Sequence, residues 1–162
     1  MRRNCAEQEA TARERVLRRK RKGGADNVSL RTKAREYAMQ MLFQSEMSPQ
    51  DAKKLEAKFW KSAKASDTTR EFANALFEGA ATEVATADEA ITKHAVDWKL
   101  ERIAAIDRAI LRLGIYELRR GETPAKVVIN ESVELAKKFS SEDASAFVNG
   151  LLDTVRKSLI KS

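Results

Sequence analysis

Helix-breaking residues are scarce in this chain: two prolines and six glycines stand among 162 residues, while Ala, Leu, Glu, Lys and Arg dominate. A turn-rich sheet protein needs more of both, so the composition favours helices. Long apolar runs are missing too. None approaches the roughly 20 residues of a membrane span, and Met1-Arg2-Arg3 is not followed by the hydrophobic stretch of a secretory signal. The cytoplasm, with no membrane association, is the expected compartment. A single cysteine, Cys5, excludes an internal disulfide. The single histidine, His94, is too far from it in sequence for the two to found a structural zinc site. A cysteine–histidine nucleophile pair is formally conceivable, but Cys5 sits in a polar tail. Gly23-Gly24 lacks the lysine and the preceding strand of a phosphate-binding loop, and no two carboxylates converge on an evident cleft. No catalytic residue, metal or cofactor is expected, and His94 reads as a surface or packing residue.

What is present is a lopsided distribution of charge. Residues 1–35 hold twelve Lys/Arg against four Asp/Glu, a net +8; the other 19 basic and 20 acidic residues leave the body near neutral. A basic arm on a neutral body is the electrostatic footprint of a polyanion binder, and equally that of a solubilising tail. Residues 1–29 contain few large apolar side chains and the basic run Arg18–Lys22. They read as a disordered extension that cannot bury enough surface to offset its ordering entropy.

From residue 30 to 162 the pattern is that of one helical domain, and 43% hydrophobic residues suffice for a core. Ala34, Tyr37, Ala38, Met41 and Leu42 recur at helical spacing. They define a first helix over Arg31–Met47, closed by Ser48-Pro49. A second runs from Asp51 to Lys64. A third, capped by Ser66-Asp67, continues through Ile91 with a kink. A short turn follows over Trp98–Ile103. Ile103 to Leu118 is apolar on most sides and belongs at the centre of a bundle, with Gly121 ending it. Thr123 and Pro124 read as N-cap and first residue of the next helix, and Ser140-Ser141-Glu142-Asp143 as the capped acidic start of the last. Asn149-Gly150 interrupts that helix, where glycine costs about 1 kcal/mol; close helix–helix approach is the expected reason. The total is about seven helices and no strand.

Three segments carry a resemblance. Asp107-Arg-Ala-Ile-Leu-Arg-Leu-Gly-Ile-Tyr-Glu-Leu118, Lys126-Val-Val-Ile-Asn-Glu-Ser-Val-Glu-Leu-Ala-Lys-Lys138 and Phe147-Val-Asn-Gly-Leu-Leu-Asp153 look like signature blocks of the NusB antitermination family. Ala34-Arg-Glu-Tyr-Ala-Met-Gln-Met-Leu-Phe43 resembles that family's first helix. The resemblance implies an all-α fold of two packed helical subdomains. It implies binding of the boxA element of ribosomal RNA leaders as single-stranded RNA, together with the ribosomal protein NusE. NusA, NusG and RNA polymerase are the implied wider partners, and a homodimer is left open.

Residue by residue, the resemblance places Arg31, Lys33 and Arg35 at a basic helix start lying against RNA, where each can neutralise a phosphate. Phe147 matches an aromatic that contacts an unpaired base, and Asp143 an acidic position that tunes RNA binding. Lys126 is a further RNA candidate. Phe43 and Asp107 match positions facing NusE, with phenylalanine where the family often has tyrosine. Bland alternatives stand beside each: surface charge for the cations, core packing for Phe43 and Phe147, helix capping for Asp107 and Asp143. Ser140-Ser141 replaces a turn that often contains glycine in the family. Two other readings remain: a NusB-like domain related to the N-terminal part of ribosomal-RNA cytosine methyltransferases, whose cofactor-binding region is not seen before Ser162, and a protein-interaction module with an incidental basic tail.

Overall fold

The computed structural model describes residues 25–160; the expectations for the extension up to Gly24 lie outside the described residues. Within them the protein is built from α1 (Ala25–Met47), α2 (Ala52–Ser62), α3 (Asp67–Thr82), α4 (Val84–His94), a 3-10 turn (Leu100–Arg102), α5 (Ala105–Arg120), α6 (Ala125–Phe139) and α7 (Glu142–Ile160). No strand occurs among the described residues. The helix α1 starts ahead of Leu30, inside the segment expected to be extension.

Local chemistry sets most of the boundaries. Asp51 caps α2 by accepting from the Lys54 amide at 3.3 Å, Ser66 caps α3 from the Thr69 amide at 3.2 Å, and Ser141 caps α7 from the Ala144 amide at 3.0 Å. Gly121 ends α5 in the left-handed conformation at φ 71°, which glycine adopts without a Cβ penalty. Two expectations are corrected. The kink expected before Ile91 is a break at Glu83 that separates α3 from α4. Pro124 sits at the N-cap of α6 rather than in its first turn, and no side chain caps that helix.

As its all-round apolar pattern requires, α5 is the spine: every residue from Ala109 to Leu118 is buried. Helices α1 and α3 pack on one flank, with α2 laid along α1; α4, α6 and α7 pack on the other. Close approach within the core is made possible by Gly114 of α5, where a Cβ would press against Leu152 and the Ser132 hydroxyl at 3.0 Å. The glycine singled out in the sequence, Gly150, is exposed, and a Cβ there meets nothing within 4 Å. Helix packing does not explain it.

Two buried polar systems fix α1 against α5 in antiparallel register. Near the start of α1, the Arg35 guanidinium grips Glu117 with Nε–Oε2 and Nη2–Oε1 distances of 2.9 Å. Near its end, Glu46 accepts from Arg108 Nε at 3.0 Å and Arg112 Nη1 at 2.7 Å, and Arg112 also donates to both oxygens of Asp88 on α4. Burial would raise the Glu46 pKa, but the two arginines outweigh it and hold the carboxyl below its usual range.

Candidate nucleic-acid interface

Arg108 does more than hold Glu46. Its Nη1 donates to the carbonyls of Leu100 and Ile103, tying the 3-10 turn to the start of α5. Buried Ile103 and Ala95 anchor the segment on either side of its exposed residues Val96 and Trp98. The result is a ledge beside the first turn of α7. Between ledge and helix lies a cavity of about 320 Å³ lined by Trp98, Arg102, Ile103, Asp107, Asp143 and Phe147, among others. The Trp98 and Phe147 rings meet edge to face, 6.5 Å between centroids at 62°. Trp98 is 55% exposed; Phe147 is half-buried, resting on the core with one edge toward the cavity. Asp107 is buried, and its Oδ1 has no hydrogen-bond partner among the described residues. An unpaired buried carboxylate oxygen costs about 1–3 kcal/mol or more, so Asp107 is held in the cavity wall at an energetic cost.

The structure therefore brings together Asp143, Phe147 and Asp107, which the sequence had assigned to two different partners. Phe43 lies at the same end of the molecule, half-buried against the core, one turn before Glu46 of the Arg108 network. The basic candidates are elsewhere. Thr32 Oγ1 donates to Glu131 of α6 at 2.9 Å, and Lys138 bonds Glu36, so α6 runs parallel to α1. Arg31, Lys33 and Lys126 thus lie at the Glu117 end of α5. The ten-residue step from Asp107 to Glu117 is about 15 Å along the axis.

Arg31 is exposed and covers the Phe72 ring at 5.5 Å. Lys33 is exposed, bonds Glu36 at 2.7 Å, and has its pKa raised chiefly by that bond. Lys126 is exposed. Arg35 is a correction. It is 2% exposed and committed to Glu117, so it offers no surface for a phosphate; it shares a helix face with Arg31 but lies one turn further along, where Glu117 of α5 covers it. Trp98, Arg102 and Arg108 escaped the sequence reading as site residues. An aromatic next to Val96-Asp97, outside any apolar period, was the one signal available for Trp98.

An all-helical body carrying an aromatic, acid-lined cavity at one end and exposed cations at the other belongs to the class of helical nucleic-acid-binding proteins. The chain belongs to the NusB family, whose description matches residues 32–157. It is 43% identical over 133 residues to a transcription antitermination protein NusB from Sorangium cellulosum, covering 82% of this chain and 95% of that one. The Myxococcus xanthus protein of the same name is 43% identical over 139 residues, covering 83% and 99%. Among solved structures, NusB and NusE in complex with double-stranded RNA superposes its matching chain with a TM-score of 0.71 at 28% identity, covering 80% of this chain and 98% of that one. The solution structure of NusB from Aquifex aeolicus gives 0.73 at 28%, covering 82% and 90%. No described helix is long and apolar enough to cross a membrane.

Proposed function

We propose that this protein is an antitermination factor that acts by binding, without catalysis: it holds the boxA element of ribosomal RNA leader transcripts together with NusE and so supports processive transcription of ribosomal RNA operons. The observation that carries the reading is the convergence of Phe147, Asp143 and Asp107 on one cavity with Trp98 and Arg102. An unpaired base has a π-face for either ring, and base–aromatic stacking is worth about 1–3 kcal/mol per base. Arg102, exposed at the rim, meets the phosphate of the nucleotide whose base enters. Asp143 repels a misplaced phosphate or accepts from an exocyclic amine. Asp107 and Phe43 belong to the face offered to NusE. Arg31, Lys33 and Lys126 hold the phosphates of a strand that leaves the cavity, each released counterion adding salt dependence. NusA, NusG and RNA polymerase follow as wider partners. Both relatives bear the name of a transcription antitermination protein, which favours this reading over the methyltransferase-like one.

The test is fluorescence anisotropy with NusE present, comparing boxA with scrambled RNA. Phe147→Ala and Trp98→Ala are each expected to weaken boxA binding by about 5- to 100-fold while circular dichroism shows both variants folded at the assay temperature, Phe147→Ala with a lowered melting temperature because its ring rests on the core. Equal affinity of the wild-type protein for the two RNAs would overturn the reading.

A further inference from the structure

The helix α2 carries a feature that neither the cavity nor the α1 start uses. Residues 51–70 contain six cations, Lys53, Lys54, Lys58, Lys61, Lys64 and Arg70, against three carboxylates, Asp51, Glu56 and Asp67. Lys54, Lys58 and Lys61 follow one another at i, i+4 and i+7, so they share one face. That face is opposite the buried Leu55–Phe59 side, and all three are exposed. Neither they nor Lys64 enter an ion pair among the described residues, whereas Lys53 takes Glu78 and Glu56. The acid count is weaker than it looks. Asp51 is spent on the helix cap, and Glu56 is buried on the inner side, where burial first and then Glu78 push its pKa up to about 7. Elsewhere some surface cations are paired, as Lys137 with Glu134 and Lys157 with Asp153, and others, such as Lys93, Lys99 and Arg119, are exposed without an ion pair among the described residues; what sets α2 apart is that its unpaired lysines line up on one face.

A second observation points to the ligand. At the C-terminal end of α2 the Arg70 guanidinium lies over the Trp60 ring at 5.4 Å, with its Nε buried and unpartnered and no ion pair among the described residues. Trp60 meets Tyr37 at 5.2 Å, and Lys33 lies over Tyr37 at 5.2 Å. Two rings in contact, with a cation over each, thus lead from Arg70 to the basic start of α1. Basic side chains interleaved with aromatic rings are the pattern of single-strand binding grooves.

We propose that the outer face of α2, with Arg70 on Trp60 at its end, is a second RNA track that holds transcript flanking the recognition element, through phosphates and without sequence preference. Lys54 to Lys61 spans about 10 Å along the helix, the reach of a few nucleotides. The track continues to Lys33 and Arg31, joining the cations already assigned to the RNA. This inference rests on the RNA-binding reading above.

The experiment uses the full chain with NusE and two RNAs, one confined to the recognition element and one extended on both sides by scrambled single strand. The variant is Lys54→Gln/Lys58→Gln/Lys61→Gln/Lys64→Gln, whose positions are exposed and leave the core untouched. The expected result is unchanged affinity for the short RNA, at least about tenfold weaker binding of the long RNA at 0.1 M salt, and a log–log salt slope shallower by up to about 3, at roughly 0.7 per phosphate. Arg70→Gln should lower long-RNA affinity alone. Wild-type affinity of the quadruple variant for the long RNA overturns the track; so does equal weakening on both RNAs, which would merge the lysines with the primary site, and so does tighter binding of a duplex DNA of equal length. Failure of the wild-type protein to prefer boxA overturns the underlying reading instead, and is read in the same titrations.

Discussion

Replacing Arg35 separates a structural cation from an RNA-contacting one. The guanidinium makes three bonds of 2.9–3.1 Å to one carboxylate, between side chains 3% and 6% exposed, and these bonds join α1 to α5. Arg35→Gln removes the charge and leaves Glu117 buried with no cation. Breaking a buried pair from one side costs about 3–5 kcal/mol, because the stranded carboxylate must either stay desolvated or take up a proton. A domain of this size has on the order of 5–15 kcal/mol in hand, so the variant should fold but with a much reduced urea midpoint. Glu117→Gln should cost a similar amount. The double variant should cost clearly less than the sum, since a neutral pair of similar shape no longer strands a charge. Urea unfolding followed by far-ultraviolet circular dichroism measures all four proteins. RNA anisotropy at a temperature where Arg35→Gln is fully folded should then give wild-type affinity and an unaltered salt slope. A stability loss under about 1 kcal/mol, combined with a slope shallower by about 0.7, would refute the structural assignment and return Arg35 to the phosphates.

Titration of Glu56 gives stability a pH dependence of known sign. Its folded pKa of about 7 lies above the ordinary 4.5, chiefly through burial and secondly through Glu78, so the folded state keeps a proton that the unfolded chain releases. The contribution is complete below about pH 4.5 and is lost as pH rises toward 7, amounting to at most about 3 kcal/mol. Glu56→Gln should flatten urea stability between pH 5 and 8, and retention of the wild-type slope in that variant would contradict the assignment. Two glycines should respond in opposite directions to alanine. At Gly79 a Cβ would overlap the hydroxyl and ring of Tyr116, and the overpacking should cost about 1–3 kcal/mol. At Gly150 there is open space, and alanine should stabilise by roughly 0.5–1 kcal/mol, both read as shifts in melting temperature.

The helical fold was legible because period, caps and breakers agree along nearly the whole chain. Ser66, Ser141 and Gly121 act at the positions their chemistry suggested, and the all-apolar stretch before Leu118 is the buried spine. What failed was whatever depends on where a helix turns its side chains in three dimensions. Arg31, Lys33 and Arg35 are equivalent as letters, yet Lys33 is turned to another face, while Arg35, one turn along the same face as Arg31, meets Glu117, a partner 82 positions away. Periodicity alone could not say so, because it marks faces by apolar residues and a buried arginine breaks the mark. Gly150 misled for the converse reason: an interior glycine suggests a close neighbour, and the close neighbours sit at Gly79 and Gly114 instead.

The cavity was half legible. Phe147 and Asp143 are one helical turn apart in sequence, so their proximity follows from local geometry. Trp98 and Arg102 reach them across a chain separation that no local pattern encodes, through Arg108 holding the 3-10 turn by its carbonyls. That same arginine lies beside Asp107 and bonds Glu46 of α1. One side chain therefore couples the ledge to the helix bearing Phe43. The position of Trp98 beside Phe147 therefore depends on a contact with α1 that lies at neither end of the local sequence.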